Sequence, residues 1–259
     1  MKVLQILPQL NIGGVERGTL DLSKALIHKG HQSFVISGGG VLVDELTQCG
    51  AKHYEIPVHI KSLRTLSLAK RLSEIISSID PDIVHVRSRM PAWVNYRAFK
   101  MLQKKPLLVS TFHGLYSFPI YSKVMSFVDH SIAISKTVER YILENYKLDK
   151  GDITVIPRGC DPLEFNNEVI NPVDKANIIE EFPQIVGKKV LTIPGRITKW
   201  KGVAEFIDLL SLLDDNYHGL IVGPTAKSKK KYLNKLQNKV SSLNLEDKIT
   251  FTGSRRDIA

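Results

Sequence analysis

The sequence predicts an α/β protein built on parallel sheets wound on both faces by helices. Three observations carry this. Apolar segments of strand length alternate with helical patterns along all 259 residues, which is the rhythm of βαβ units. A stretch without a strand signal, 166–188, divides the alternation into a long series and a short one. Finally, 43% hydrophobic residues supply enough apolar side chains to cover a sheet on both faces, as parallel sheets require.

The long series opens with KVLQIL, a helix from about Val15 to Lys29, SFVIS, a helix near Val41 to Gln48, and AKHYEI. A long amphipathic helix follows, with Leu63, Leu66, Ala69, Leu72, Ile75, Ile76 and Ile79 on one face, and Pro81 separates it from DIVHV. A helix around Trp93 to Leu102, PLLVST, a helix near Ile120 to Phe127, HSIAI, a helix from Lys136 to Asn145, and ITVIP complete the series. Right-handed crossovers make residues 1–165 one Rossmann-like domain.

Residues 166–188 carry Pro172, Pro183 and Gly187 and read as a connection. The short series, 189–259, runs KVLTI, a helix from Val203 to Leu213, HGLIVG, a lysine-rich helix from about Ala226 to Leu243, and DKITFTG. Three strands and two helices make an incomplete second Rossmann-like domain. Its sheet edges leave N–H and C=O groups unpaired, so it is expected to be marginal or aggregation-prone.

Lys plus Arg number 36 against 26 Asp plus Glu, and the formal charge of +10 favours anionic partners. No nucleic-acid motif with interleaved aromatics accompanies that charge, so nucleic acid is not expected as a partner. Cys49 and Cys160 lack CxxC spacing, which suggests neither zinc nor a disulfide framework and fits a reducing cytoplasm. The five-residue apolar run before Pro8 is too short for a signal-peptide core, and no run approaches 18 apolar residues. Any membrane contact is expected to be peripheral.

Four turns concentrate unusual chemistry. In LNIGGVERG, Gly13 and Gly14 lie between the first strand and a helix. They fit a turn that needs positive φ, or a close backbone approach to an anion at a helix N-terminus, with Glu16 a further cleft candidate. No GxGxxG is present to suggest NAD. In STFHGLYS, His113 stands at the carboxyl end of a strand, where it could position a substrate or donate a proton, or bond a loop carbonyl. His85 in DIVHVRSR occupies a comparable strand end.

In VIPRGCDPLEF, Pro157, Gly159 and Pro162 enforce a sharp exit, and Asp161 and Glu164 face either the cleft or the turn itself. In PGRITKWKG, a basic cluster sits between a strand and a helix, where free backbone N–H groups bind anions. Arg196 can grip phosphate as a fork and Lys201 as a point charge, while Lys199 and Lys201 also fit a solvated turn.

Taken in order, GGVER, TFHG, AISKTVERYI, VIPRGCDPLEF, GRITKWKG, VGP and FTG resemble the family 4 retaining glycosyltransferases of the GT-B fold. The resemblance implies two Rossmann-like domains facing across a cleft, with the acceptor held by the amino-terminal one. It implies a nucleotide-sugar donor whose diphosphate is bound by Arg196, Lys201, Gly13 and Gly14, with His113 as the catalytic residue at the donor sugar. His85, Glu16 and Asp161 are further cleft candidates. Arg158 stands where the family often has asparagine, and no role is carried over to it. No metal and no other cofactor is expected.

The family's paired glutamates, eight positions apart, would lie beyond FTGSRRDIA, so the chain is expected to be a truncated or split form that a second polypeptide completes. The expected activity is hexosyl transfer to a cell-envelope glycolipid or polysaccharide precursor. The alternative is an inactive remnant that binds only anionic membrane or nucleotide. Between Lys61 and Lys105 ten Lys or Arg face three acids, and Lys70 and Arg71 lie on the polar side of the long helix. That surface fits either an anionic membrane at the inner face of the plasma membrane or ordinary solvation. The six lysines from Lys227 to Lys239 fit a solubilising helix face.

Overall fold

The computed structural model describes residues 1–60, 62–116, 119–160, 162, 165, 172–255 and 257. The chain folds as two compact units, Met1–Gly159 and Cys160–Ala259.

The first unit holds a parallel sheet of β1 (Lys2–Ile6), β2 (Gln32–Ser37), β3 (Lys52–Glu55), β4 (Ile83–Val86), β5 (Leu107–Phe112), β6 (His130–Ala133) and β7 (Ile153–Val155). The strand order is β3-β2-β1-β4-β5-β6-β7. The order reverses between β1 and β4, and the carboxyl ends of those strands therefore border the crevice in which open α/β sheets bind ligands.

Its helices are α1 (Gly14–His28), α2 (Val43–Gln48), α3 (Ala69–Ile79), α4 (Arg89–Phe99), α5 (Pro119–Ser122) and α6 (Lys136–Asn145). Side chains alternate along each strand, so one sheet carries two cores. Leu4, Ile6, Phe34, Ile36, Val84 and Phe112 pack with Leu72 and Ile76 of α3 and Val94 of α4. Val35, one step out of that register, packs with Leu7, Leu20 and Leu46 in a second cluster. Each fully buried Leu or Ile contributes about 1.5–3 kcal/mol relative to exposure.

The long helix expected through Leu63 is divided. Leu63–Leu68 form a 3₁₀ segment, and the α-helix starts only at Ala69. Leu63, Leu66, Ala69 and Leu72 are three apart, a spacing that the 3.0-residue period of a 3₁₀ helix satisfies as well as an α-helix does. The Ser62 side chain caps the segment by accepting from the Arg64 N–H. The helix expected near Ile120 to Phe127 is likewise a four-residue α5 and a 3₁₀ turn, Lys123–Ser126.

The second unit contains α7 (Pro172–Glu181), β8 (Lys189–Pro194), α8 (Val203–Ser211), β9 (Tyr217–Val222), α9 (Lys230–Ser242) and β10 (Ile249–Gly253). Its sheet is parallel, in the order β10-β9-β8. Ile207 and Leu210 of α8 pack with Ile221 of β9 and with Leu236 and Val240 of α9. Within the stretch read as a connection, α7 packs with this unit. Arg255 Nη1 meets Glu181 Oε2 at 2.7 Å, and Gln184 Nε2 donates to Thr250 Oγ1 at 2.9 Å. Among the described residues β8 pairs with β9 alone, and its Val190 is 38% exposed. No helix among the described residues is long and apolar enough to cross a membrane.

Candidate functional site

In the first unit the chemistry gathers at the carboxyl ends of β1, β4 and β5. Arg87 follows β4 directly, and its backbone N–H donates to Ile6 O at 2.9 Å. Its guanidinium is buried, at 7% exposure. Nη1 donates to Gln5 Oε1 at 2.7 Å, and Nε has no partner. Gln5 is itself held by a buried neutral network. Its Nε2 donates to Thr19 O at 3.1 Å and Ser23 Oγ at 3.0 Å, and Ser33 Oγ donates to Ser23 Oγ at 2.9 Å. Burial first, then the Arg158 charge, lowers the Arg87 pKa to about 10, so the group stays protonated at neutral pH.

Gly13 and Gly14 open α1 without positive φ; Gly13 is extended, at φ 175°. The turn reading that needed positive φ is therefore corrected. Close approach is what these glycines provide: a Cβ on Gly13 would lie 2.3 Å from Glu16 Oε2, and one on Gly14 2.3 Å from Arg158 Nη1. Arg158, three residues beyond β7, covers the glycine turn and reaches His113, with Nη2 2.9 Å from Nδ1.

That contact fixes the histidine. Arginine only donates, so Nδ1 accepts and the proton of the neutral ring sits on Nε2, a buried atom without a partner. Burial, then the charges of Arg87 and Arg158, push the His113 pKa down to about 3. The expectation that His113 donates a proton near neutral pH is corrected: the ring is neutral there and offers an N–H hydrogen bond, which suits positioning. His85 is corrected as a cleft residue. It is 5% exposed, its Nε2 lies 2.7 Å from Thr111 Oγ1, and burial holds its pKa well below the usual value. Asp161 and Glu164 lie outside the described residues.

In the second unit Arg196 and Lys201 are exposed in the turn between β8 and α8. The turn is built on glycines. Gly195, at φ +148°, donates its N–H to Val222 O at 2.8 Å, and Ile197 N donates to Pro224 O at 3.1 Å. Gly202, at φ +74°, is the N-cap of α8, which no side chain caps. The first-turn N–H groups are thus open beside two cations, a favourable setting for an anion. Lys201 Nζ lies 4.7 Å from the Trp200 ring centroid. Among the described residues neither cation makes an ion pair, and no three His, Cys, Asp or Glu side chains form a metal site.

Sequence reasoning missed Arg87 and Arg158. The RSR after β4 at a sheet-order reversal was the available signal for the first. For the second the local signal was the arginine in VIPRGCDPLEF where the family often has asparagine, while its partners lie 45 or more positions away.

Residues 12–163 match the family described as Glycosyltransferase Family 4. The chain belongs to Glycosyltransferase Family 4. Residues 174–259 match a second description, Glycosyl transferases group 1. A crystal structure of a glycosyltransferase from Rickettsia africae is similar to this family 4 chain at 34% identity and TM-score 0.84, over 99% of this chain and 69% of that one. Anabaena HepE in complex with UDP-glucose is similar in fold, at 19% identity and TM-score 0.83, over 100% of this chain and 70% of that one. An uncharacterized glycosyltransferase of Methanocaldococcus jannaschii is 31% identical over 167 residues, 56% of this chain. The chain spans 41% of the length of that curated relative. The family 4 chain thus has the mixed α/β, GT-B-like fold of these neighbours.

Proposed function

We propose that the chain acts in transfer of a hexose-type sugar from a nucleoside-diphosphate donor, with retention at the anomeric carbon and without a metal ion. The observation that carries the donor assignment is the β8 to α8 turn, where Arg196, Lys201 and the uncapped α8 N-terminus converge. Breaking a sugar–phosphate bond builds negative charge on the departing oxygen, and fixed cations beside it stabilise that charge without reorganising. His113, neutral with its Nε2 hydrogen outward-bonding to no protein atom, is suited to holding a donor hydroxyl. The UDP-glucose complex of Anabaena HepE supports the donor class.

For the acceptor we propose a lipid-linked or polysaccharide precursor met at the inner face of the plasma membrane. A groove of about 690 Å³ in the first unit supports it, lined by Leu66, Lys70, Trp93, Tyr96, Arg97 and Lys100 among others. Apolar and aromatic walls rimmed by cations suit an anionic, amphipathic molecule.

Calorimetric titration of the chain with UDP, GDP and ADP tests the donor assignment. One nucleotide is expected to bind, and Arg196→Met or Lys201→Met is expected to weaken it roughly tenfold or more, as loss of a charge-assisted contact to phosphate does. Both side chains are exposed, so the variants fold. Affinity unchanged in both variants would overturn the assignment.

A further inference from the structure

Arg87 presents a problem that its own surroundings do not solve. A guanidinium buried to 7% exposure carries a full charge, and removing a charge from water is costly unless an opposite charge compensates. Gln5, Thr19, Ser23 and Ser33 orient the group through a neutral network and neutralise nothing. Among the described residues neither Arg87 nor Arg158 makes an ion pair. A second guanidinium, that of Arg158, is close enough to depress the first. Like charges held near each other without a carboxylate between them are the arrangement of an anion site.

The surroundings agree. Arg87 Nε and His113 Nε2 are both buried donors without partners. Arg158 at the rim is held by His113 and lies over Gly14, where the absent Cβ leaves it room. Arg87 forms the floor, at the β1/β4 order reversal where such sheets bind ligands. Asp21 and then Glu16 are the acids whose charge reaches Arg87, and among the described residues neither forms an ion pair with it.

We infer that Arg87 and Arg158 form an oxyanion site in the first unit that takes a phosphate group of the acceptor, with the Nε2–H of His113 left for the donor sugar. The inference rests on the transferase reading and narrows it: the acceptor carries its own phosphate, separate from the donor's diphosphate at Arg196 and Lys201. A diphosphate of the donor reaching the same cluster is the competing source of that chemistry.

The test is calorimetric titration of inorganic phosphate into the 259-residue chain already saturated with UDP, with UDP affinity measured separately. Phosphate is expected to bind, and Arg158→Met to weaken it about tenfold while UDP affinity stays within twofold. Arg87→Lys, which keeps the buried charge but loses the fork, is expected to weaken phosphate in the same sense. Gly14→Ala, which crowds Arg158 Nη1, is expected to do so more mildly. No phosphate binding to the UDP-saturated chain, or equal binding in Arg158→Met, would overturn the site. Parallel loss of UDP and phosphate affinity in Arg158→Met would overturn the acceptor assignment in favour of the donor's diphosphate. Failure of the transferase reading shows separately, as absence of binding by UDP, GDP and ADP alike with phosphate binding retained, and that result overturns the acceptor role.

Discussion

Gly223→Ala is expected to unfold the second unit while the first remains intact. A Cβ on Gly223 would lie 1.9 Å from the carbonyl oxygen of Gly195 and 2.6 Å from its carbon, both backbone atoms. Its φ of +151° is a conformation that L side chains rarely adopt. The backbone there has no freedom to retreat. Gly223 N donates to Gly253 O at 2.7 Å and Gly195 N to Val222 O at 2.8 Å, so relief of the clash breaks the strand ends together.

A cost on the order of 4 kcal/mol or more follows, at the extreme of what single substitutions do. Among its described residues the second unit has one small apolar cluster, and it has little stability to spare. Hydrogen exchange read by mass spectrometry checks this. Peptides covering β8, β9 and β10 should lose protection, while those of β1 and β4 keep it. Unchanged protection in β9 would refute the prediction. Gly13→Ala is the contrast, because the atom in its way is the end of a flexible Glu16 side chain.

Acid is expected to destabilise the first unit steeply, beginning near pH 6.5. His113 has its pKa lowered to about 3, chiefly by burial, and His85 is held well below the usual value, also chiefly by burial. Between about pH 3 and 6.5 the unfolded chain binds a proton at His113 and the folded chain does not, and His85 acts in the same sense as pH falls below 6.5, so stability rises with pH across that window and is lost as pH falls. His113 contributes up to about 1.4 kcal/mol per pH unit there. Urea unfolding of the first unit between pH 4 and 7, followed through its own tryptophan, should show the slope. Replacing Arg158 with Met removes one of the causes, so the His113 pKa should rise and the slope flatten. A stability that does not change across the window would rule out the neutral, buried state of both rings.

Much of the architecture was legible because it is written in local patterns. Each expected strand is present, since a run such as SFVIS has no helical alternative of matching length. The helix after β4 begins at Arg89, four residues before the expected start at Trp93, because Pro91 lies in the first turn, where its missing N–H is no loss. The 3₁₀ segment before α3 was hidden by an apolar spacing that two helix types share. The site was legible in part. Gly13, Gly14, Arg196 and Lys201 stand at strand-to-helix turns, which order along the chain reveals. The Arg158 to His113 contact and the Arg87 network depend on strand order, and sequence proximity carries no trace of either.

The two tryptophans of the chain are divided between its units. Trp93 is half-buried, and its indole N–H donates to Tyr121 O at 2.9 Å. Trp200 is 72% exposed, next to Lys201, whose ammonium lies over its ring. The molecule therefore carries two optical reporters of different colour, a blue-shifted one for the first unit and a red-shifted one on the basic turn itself. An anion that draws Lys201 off the indole changes the emission of Trp200 alone. With Trp93→Phe, occupancy of that turn becomes a single-wavelength signal that needs no label.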